Sequence, residues 1–177
     1  ETHRPNPIKV YVESKGAGDQ ALLASGCATI ILRVSWVYGL RGQNFLLTMR
    51  RLMTQRGALR IVNDQFGAPT WCRSIAQATS GVLAKMPSDS ASRRDLSGVY
   101  HLSPDGGTSW FGFATAVRDL LDLQCDLQPI STSEYPTQAQ RPKNSRLDST
   151  KLLKTFGLAI PAWDRDLRLC VDGLLSG

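Results

Sequence analysis

Thr29-Ile-Ile-Leu-Arg-Val-Ser-Trp-Val-Tyr38 is the stretch that decides how this chain folds. It is a nearly unbroken run of β-branched and aromatic residues, and it stops at Gly39. Strict alternation would mark a strand with one wet face, whereas a continuous run marks a strand buried on both faces, as in a parallel sheet. On its N-terminal side, Ser14 to Ser25 reads as a helix carrying Ala17, Ala21, Leu22 and Leu23, with Gly26 as its stop. On its C-terminal side, Phe45, Leu46, Met49, Leu52 and Met53 recur at helical spacing, with Arg50, Arg51 and Arg56 opposite them. That pattern predicts an amphipathic helix covering a sheet. Strands alternating with helices indicate an α/β protein.

The alternation continues along the chain. Leu59 to Val62 is a short strand entering the loop Asn63-Asp-Gln-Phe-Gly-Ala-Pro-Thr70, and a helix with Ile75, Ala78, Val82 and Leu83 on its buried face follows. Pro87 to Ser97 is rich in Ser, Asp and Arg without periodicity, which predicts an exposed loop. Val99 to Leu102 is a strand, and Thr108 or Ser109 caps a helix whose apolar face holds Phe111, Ala114, Val117, Leu120 and Leu121. The strand Leu127 to Ile130 enters a polar stretch, Ser131 to Arg146, too long for a simple connection and therefore a candidate binding loop. Two helices close the chain, around Leu152, Leu153 and Phe156 and around Leu167, Cys170, Val171 and Leu174.

Composition narrows the function classes. The chain has 177 residues, 42% hydrophobic and 20% charged, enough for a substantial core of ordinary globular type. No apolar run approaches the ~18 residues of a membrane span, and the polar start Glu1-Thr-His-Arg-Pro-Asn-Pro7 has no signal-peptide stretch. The expected setting is cytoplasmic, with no membrane partner. The net charge of +6 is spread out, and neither Arg50-Arg51 nor Arg93-Arg94 is interleaved with aromatics. Nucleotide phosphates explain it better than nucleic acid. Cys27, Cys72, Cys125 and Cys170 are widely spaced with no C-x-x-C pair, so they read as free thiols rather than zinc ligands.

Two places carry chemistry. Tyr11 and Lys15 stand four residues apart at the start of a helix, on one face. A neighbouring ammonium favours the phenolate and lowers a Tyr pKa from its usual ~10. Such a Tyr can hand its proton to a carbonyl oxygen as hydride reaches the carbon. Trp36 lies at the exit of the buried strand, where open α/β sheets bind ligands, and is placed to stack on a sugar or base. Arg141, in the long polar stretch, has the forked guanidinium that suits a diphosphate.

Taken together, these stretches resemble the extended short-chain dehydrogenase/reductases and, among them, the dTDP-4-dehydrorhamnose reductase family. The matching segments are Arg4-Pro-Asn-Pro with Val10-Tyr11-x-x-x-Lys15, Leu32 to Gly39 with Asn44-Phe45, and Asp64 to Thr70. Tyr100-His-Leu with Thr108-Ser-Trp110, Ile130 to Pro136 and Arg141 to Asp148 continue them in family order. The resemblance implies a Rossmann-like fold, of which this chain is the C-terminal portion, plus a small substrate-binding domain. Residues 1–43 would end the nucleotide-binding domain with the catalytic helix and following strand. Residues 44–177 would be mixed, mainly substrate-binding, with elements returning to the Rossmann-like sheet.

The resemblance also implies site roles. Tyr11 would donate the proton to a 4-keto sugar, and Lys15 would bind the nicotinamide ribose and lower the Tyr11 pKa. Trp36 would contact the deoxysugar of a dTDP-sugar substrate, and Gln65, Phe66, Gly67, Arg141, Asn144 and Ser145 would line the sugar-nucleotide pocket. NADPH or NADH is the implied cofactor. Magnesium is known for some relatives, although no acidic cluster in this sequence provides a site for it. Val12, Gly16 and Asp19 depart from the family's usual residues, and Gly16 should loosen its helix by ~1 kcal/mol relative to Ala.

One decoy needs rejecting. Gly16-Ala-Gly18-Asp-Gln-Ala21 satisfies G-x-G-x-x-A, but a phosphate loop belongs directly after a strand, and here a helix is already running. The family's own phosphate loop would stand upstream of Tyr11, so the chain is expected to be a truncation, inactive alone. Its implied partners are a second copy in a homodimer or the missing N-terminal segment. The competing functions are a non-catalytic regulatory subunit of the same fold and a related sugar-nucleotide epimerase.

Overall fold

A computed structural model of the chain describes residues 10–135 and 141–176, with side chains described from residue 13 onward. Helix α1 spans Val10–Ala24 and ends before Gly26, whose φ of +71° is the left-handed stop expected of a glycine there. The run that follows is not one strand. It divides into β1, Ile30–Arg33, and β2, Val37–Tyr38, with Trp36 between them at φ +50°. The two pieces take different partners, β1 lying parallel to β6 (Gly98–His101) and β2 parallel to β5 (Thr70–Trp71). Pairing two separate strands requires the ladder to break, and nothing in a continuous β-branched run reports such a break. All four residues of β1 are half-buried rather than buried, since among the described strands β1 pairs with β6 alone.

Helix α2, Phe45–Gln55, buries Leu46, Met49 and Met53, and Asn44 caps it by accepting the Leu47 N–H at 3.2 Å. It packs on α5 (Trp110–Leu120) as well as on β3 (Ala58–Val62), so the helix expected to cover a sheet also packs on another helix. Strand β3 runs parallel to β8, Asp126–Ile130, in the register Leu59 to Leu127 and Ile61 to Pro129. The short β4, Phe66–Gly67, pairs antiparallel with β7, Thr108–Ser109. Ser109 caps α5 by accepting the Gly112 N–H at 3.0 Å.

Elsewhere three expectations need correcting. In α3, Cys72–Ala84, the buried stripe is Ser74, Ala78 and Val82, and Leu83 is 68% exposed because it stands ~100° around the helix from Val82. The segment expected to be loop holds a short helix, α4, Ser90–Asp95, started by Asp89 accepting the Ser92 N–H and closed by Arg93 and Arg94. Charge at its two ends supplies what periodicity lacks. In α5 the deepest aromatic is Phe113 rather than Phe111.

Two apolar cores result. One gathers Tyr38, Leu46, Met49, Phe113, Val117 and Leu167, closed by α7 (Trp163–Leu175). The other gathers Val82, Tyr100, Leu102, Leu152, Phe156 and Ile160 between β6, α3 and α6 (Thr150–Phe156). All four cysteines are free thiols, with Cys125 and Cys170 buried and Cys27 and Cys72 exposed. No described helix is long and apolar enough to cross a membrane.

Candidate active site

The turn that interrupts the first strand run builds the site. Trp36 occupies a φ of +50°, a conformation costing a non-glycine residue ~1–3 kcal/mol unless its surroundings impose it. Here they do. Its carbonyl accepts the Thr70 N–H at 3.1 Å, and its indole lies flat on Trp110 with centroids 3.5 Å apart and planes within 5°. Phe45 leans on Trp110 in turn, at 4.6 Å and 44°. A Cβ at Gly67 would come 2.3 Å from Cε2, 2.5 Å from Nε1 and 2.7 Å from Cδ2 of Trp36. Such an atom wedged between two rings 3.5 Å apart would strike Trp110 first, so the Gly67 backbone covers the other face. Both faces of the Trp36 ring are therefore taken within the chain, and the ring presents an edge rather than the stacking face expected of it.

The loop after β3 is anchored by part-buried polar bonds. Asp64 accepts the Thr132 N–H at 2.9 Å and its hydroxyl at 2.5 Å. That hydroxyl bond, with the backbone N–H and the charge of Lys143, holds the Asp64 carboxyl below its usual value. Gln65 is buried and donates its side-chain amide to Thr132 Oγ1 at 3.1 Å. Asn63 accepts the Ser109 hydroxyl at 2.6 Å, joining this loop to the start of α5. Phe66 keeps 46% of its surface exposed, and its backbone N–H donates to the Lys143 carbonyl at 2.8 Å. Ser145 donates back to the Phe66 carbonyl through both its N–H and its hydroxyl. Asn144 forms a bridge opposite Phe66, and its side-chain oxygen accepts the Arg146 N–H and Nε–H at 3.1 and 3.2 Å.

Of the residues expected at the site, Trp36, Gln65, Phe66, Gly67, Asn144 and Ser145 thus form one connected group. The segments that carry them leave β1, β3 and the polar stretch after β8, at carboxyl ends of parallel strands. Arg141 is exposed and makes no ion pair among the described residues. A cleft of about 790 Å³ adjoins the group, lined by Asn144, Arg146, Asp148, Leu153 and Ile160 without reaching Trp36 or Phe66. Trp110, Thr132, Asp64 and Ser109 join the group without having been singled out for it. The signal available for Trp110 was a large aromatic directly after a capping serine, at the helix end that faces the strand exits.

Helix α1 carries Tyr11 and Lys15. Lys15 is exposed on it, one turn beyond Tyr11, whose side chain lies outside the described residues, as does Arg4-Pro-Asn-Pro. Asp19 accepts Arg33 Nε–H at 3.2 Å and Nη2–H at 2.7 Å, which ties α1 to β1. Gly16 and Gly18 lie inside α1, where a Cβ would meet nothing within 4 Å. Their N–H groups point along a continuous helix, so the glycine triplet cannot cradle a pyrophosphate. The exposed Lys15 ammonium has three N–H donors and no acceptor, so it can bond the oxygen atoms of a ligand. Among the described residues no group of three or more His, Cys, Asp or Glu side chains could hold a metal ion.

Comparison with known proteins bears on the family and the fold. Residues 1–176 match the family described as the RmlD substrate binding domain. A dTDP-4-dehydrorhamnose reductase of Burkholderia thailandensis is 42% identical over 99% of this chain and 62% of its own length. The one of Escherichia coli K12 is 36% identical over 99% of this chain and 60% of its own length. The chain therefore spans less than two thirds of these curated relatives. Among solved structures, the Bacillus anthracis dTDP-4-dehydrorhamnose reductase in complex with NADP superposes with a TM-score of 0.87 at 33% identity, covering 98% of this chain and 58% of that one. A UDP-galactose 4-epimerase superposes with a TM-score of 0.77 at 17% identity over 99% of this chain and 56% of that one, a likeness of fold alone.

Proposed function

The chain belongs to the RmlD substrate binding domain family, and we propose that the protein carrying it reduces dTDP-4-dehydro-6-deoxy-L-mannose to dTDP-L-rhamnose. A nicotinamide cofactor, NADPH or NADH, supplies the hydride when bound. The observation that carries the reading is the connected group at the strand exits. Trp36, Gln65 to Gly67 and Asn144 to Ser145 come from three distant segments, yet they share backbone and ring contacts. The reductase relatives, which match nearly the whole chain, support it.

In this reading Tyr11 gives its phenolic proton to the sugar's carbonyl oxygen as the carbon is reduced, and Lys15 binds the ribose and keeps the phenol acidic. The edge of Trp36 meets the deoxysugar. Phe66 offers an exposed ring and Arg141 a guanidinium for the nucleotide diphosphate, with Gln65, Gly67, Asn144 and Ser145 shaping the pocket between them. Residues 1–43 supply the end of a nucleotide-binding domain, with the catalytic helix and the strand that follows it, and residues 44–177 are mixed, mainly the substrate side, with elements returning to the Rossmann-like sheet.

The test is a reductase assay of the enzyme carrying this chain, following nicotinamide absorbance with the dTDP-4-keto sugar. Tyr11→Phe should lower kcat by ~10²–10⁴-fold with little change in KM. Undiminished turnover in that variant would remove Tyr11 from the chemistry, and an unsubstituted enzyme that forms no dTDP-rhamnose would overturn the reaction itself.

A further inference from the structure

We infer that Trp110 and Gly67 form a clamp that fixes Trp36 edge-on to the substrate, making Trp110 a positioning residue of the site. The inference rests on the reading of Trp36 as a sugar contact.

The contacts make the clamp two-sided. Trp110 lies on one face of the Trp36 indole at 3.5 Å and 5°, and the Gly67 backbone closes the other so tightly that no Cβ fits. The clamp is itself held. Phe45 backs Trp110, and β4 pairs Phe66 with Ser109 and Gly67 with Thr108, which fixes Gly67 against the residues just before Trp110. A Cβ at Gly107 would come 3.1 Å from the Gly67 carbonyl, so a second glycine permits this approach.

A free Trp at a strand exit would choose among rotamers and would stack its face on whatever entered. Trp36 has neither freedom. Its backbone stands at φ +50°, and its ring has no uncovered face. What remains for a ligand is the rim of the indole, including an N–H that donates to no acceptor among the described residues. A rim with one donor discriminates hydroxyl positions on a sugar, whereas a face binds any sugar or base. Orientation of this kind acts on substrate binding more than on the proton or hydride, because Trp110 touches no reacting atom.

The experiment uses the enzyme carrying this chain, with Trp110→Ala, Trp110→Phe and Gly67→Ala variants. KM and kcat are measured separately for the dTDP-sugar and for NADPH, and the near-ultraviolet circular dichroism of the coupled indoles is recorded in parallel. The expected results are a rise of about tenfold or more in the sugar KM for Trp110→Ala and Gly67→Ala, an unchanged NADPH KM, and partial recovery in Trp110→Phe, which keeps a ring on that face. The indole couplet should vanish in both Trp110 variants. A purely structural role would lower the melting temperature and the active fraction while leaving both KM values alone, and that result overturns the inference. So does an unsubstituted protein without the couplet. If the unsubstituted enzyme reduces no dTDP-sugar, the proposed reaction falls. The clamp then stands or falls on whether the couplet is present and is lost in the Trp110 variants.

Discussion

Ser145 donates both its backbone N–H, at 2.9 Å, and its hydroxyl, at 3.1 Å, to the carbonyl oxygen of Phe66, 79 residues away in the chain. The Phe66 N–H donates to Lys143, so the exposed loop around Asn144 is held as an added strand against β4. Each bond is ordinary, but together they bring two candidate pocket segments into one wall. Ser145→Ala removes the hydroxyl bond and leaves the backbone one. The expected cost is ~0.5–1.5 kcal/mol at an exposed seam, with a measurable rise in the sugar KM. Chemical denaturation and initial-rate kinetics check it.

Acid should open the same wall from its other side. The Asp64 carboxyl is held below its usual value chiefly by the Thr132 hydroxyl. A carboxyl lowered in the folded state contributes stability that is fully present above its ordinary pKa of ~3.9 and is lost as pH falls through the lowered value. Thr132→Val keeps the shape and the backbone bond but removes the hydroxyl. Its loss of stability should be largest at neutral pH and shrink as pH falls through the lowered value, so its stability should decline less steeply with acid than that of the unsubstituted protein. Circular dichroism across an acid titration measures both.

Asp166 should behave in the opposite sense. Burial raises its carboxyl, against the Ser74 hydrogen bond and the charge of Arg165, which lower it. Around it, Tyr38 is also pushed upward by burial and by Cys170 and Asp166, and Cys170 is pushed up to about 12, first by burial and then by Cys72 and Asp166. A raised carboxyl favours folding below its ordinary pKa, and that contribution is lost as pH rises through the raised value. Asp166→Asn should flatten this decline and raise the melting temperature at neutral pH. Thermal melts followed upward from the ordinary carboxylate range to neutral pH would detect it, and a lower melting temperature throughout would refute it.

Phe113 is fully buried and touches Tyr38, Phe45 and Trp163. Phe113→Ala should cost about 3–5 kcal/mol, because those three rings come from different elements and cannot close on the space together. Loss of Phe45's support should also loosen Trp110. A denaturation curve gives the first effect and the indole couplet gives the second.

The α/β class, the helix at Phe45 to Met53 and the helix stop at Gly26 were all legible in order and spacing alone. Each rests on a periodicity or a local backbone preference that a short window contains. The segments named for the site, Asp64 to Thr70 and Arg141 to Asp148, came instead from resemblance to a known family, since no periodicity marks them. Tertiary structure decided where the run from Thr29 to Tyr38 breaks, because that depends on β6 and β5 arriving as separate partners. It also decided which way Trp36 faces. An aromatic at a strand exit looks free in sequence, and only the approach of Trp110 and of a glycine without a Cβ covers its two faces. Contacts of that kind join residues far apart in the chain, and a one-dimensional pattern carries no record of them.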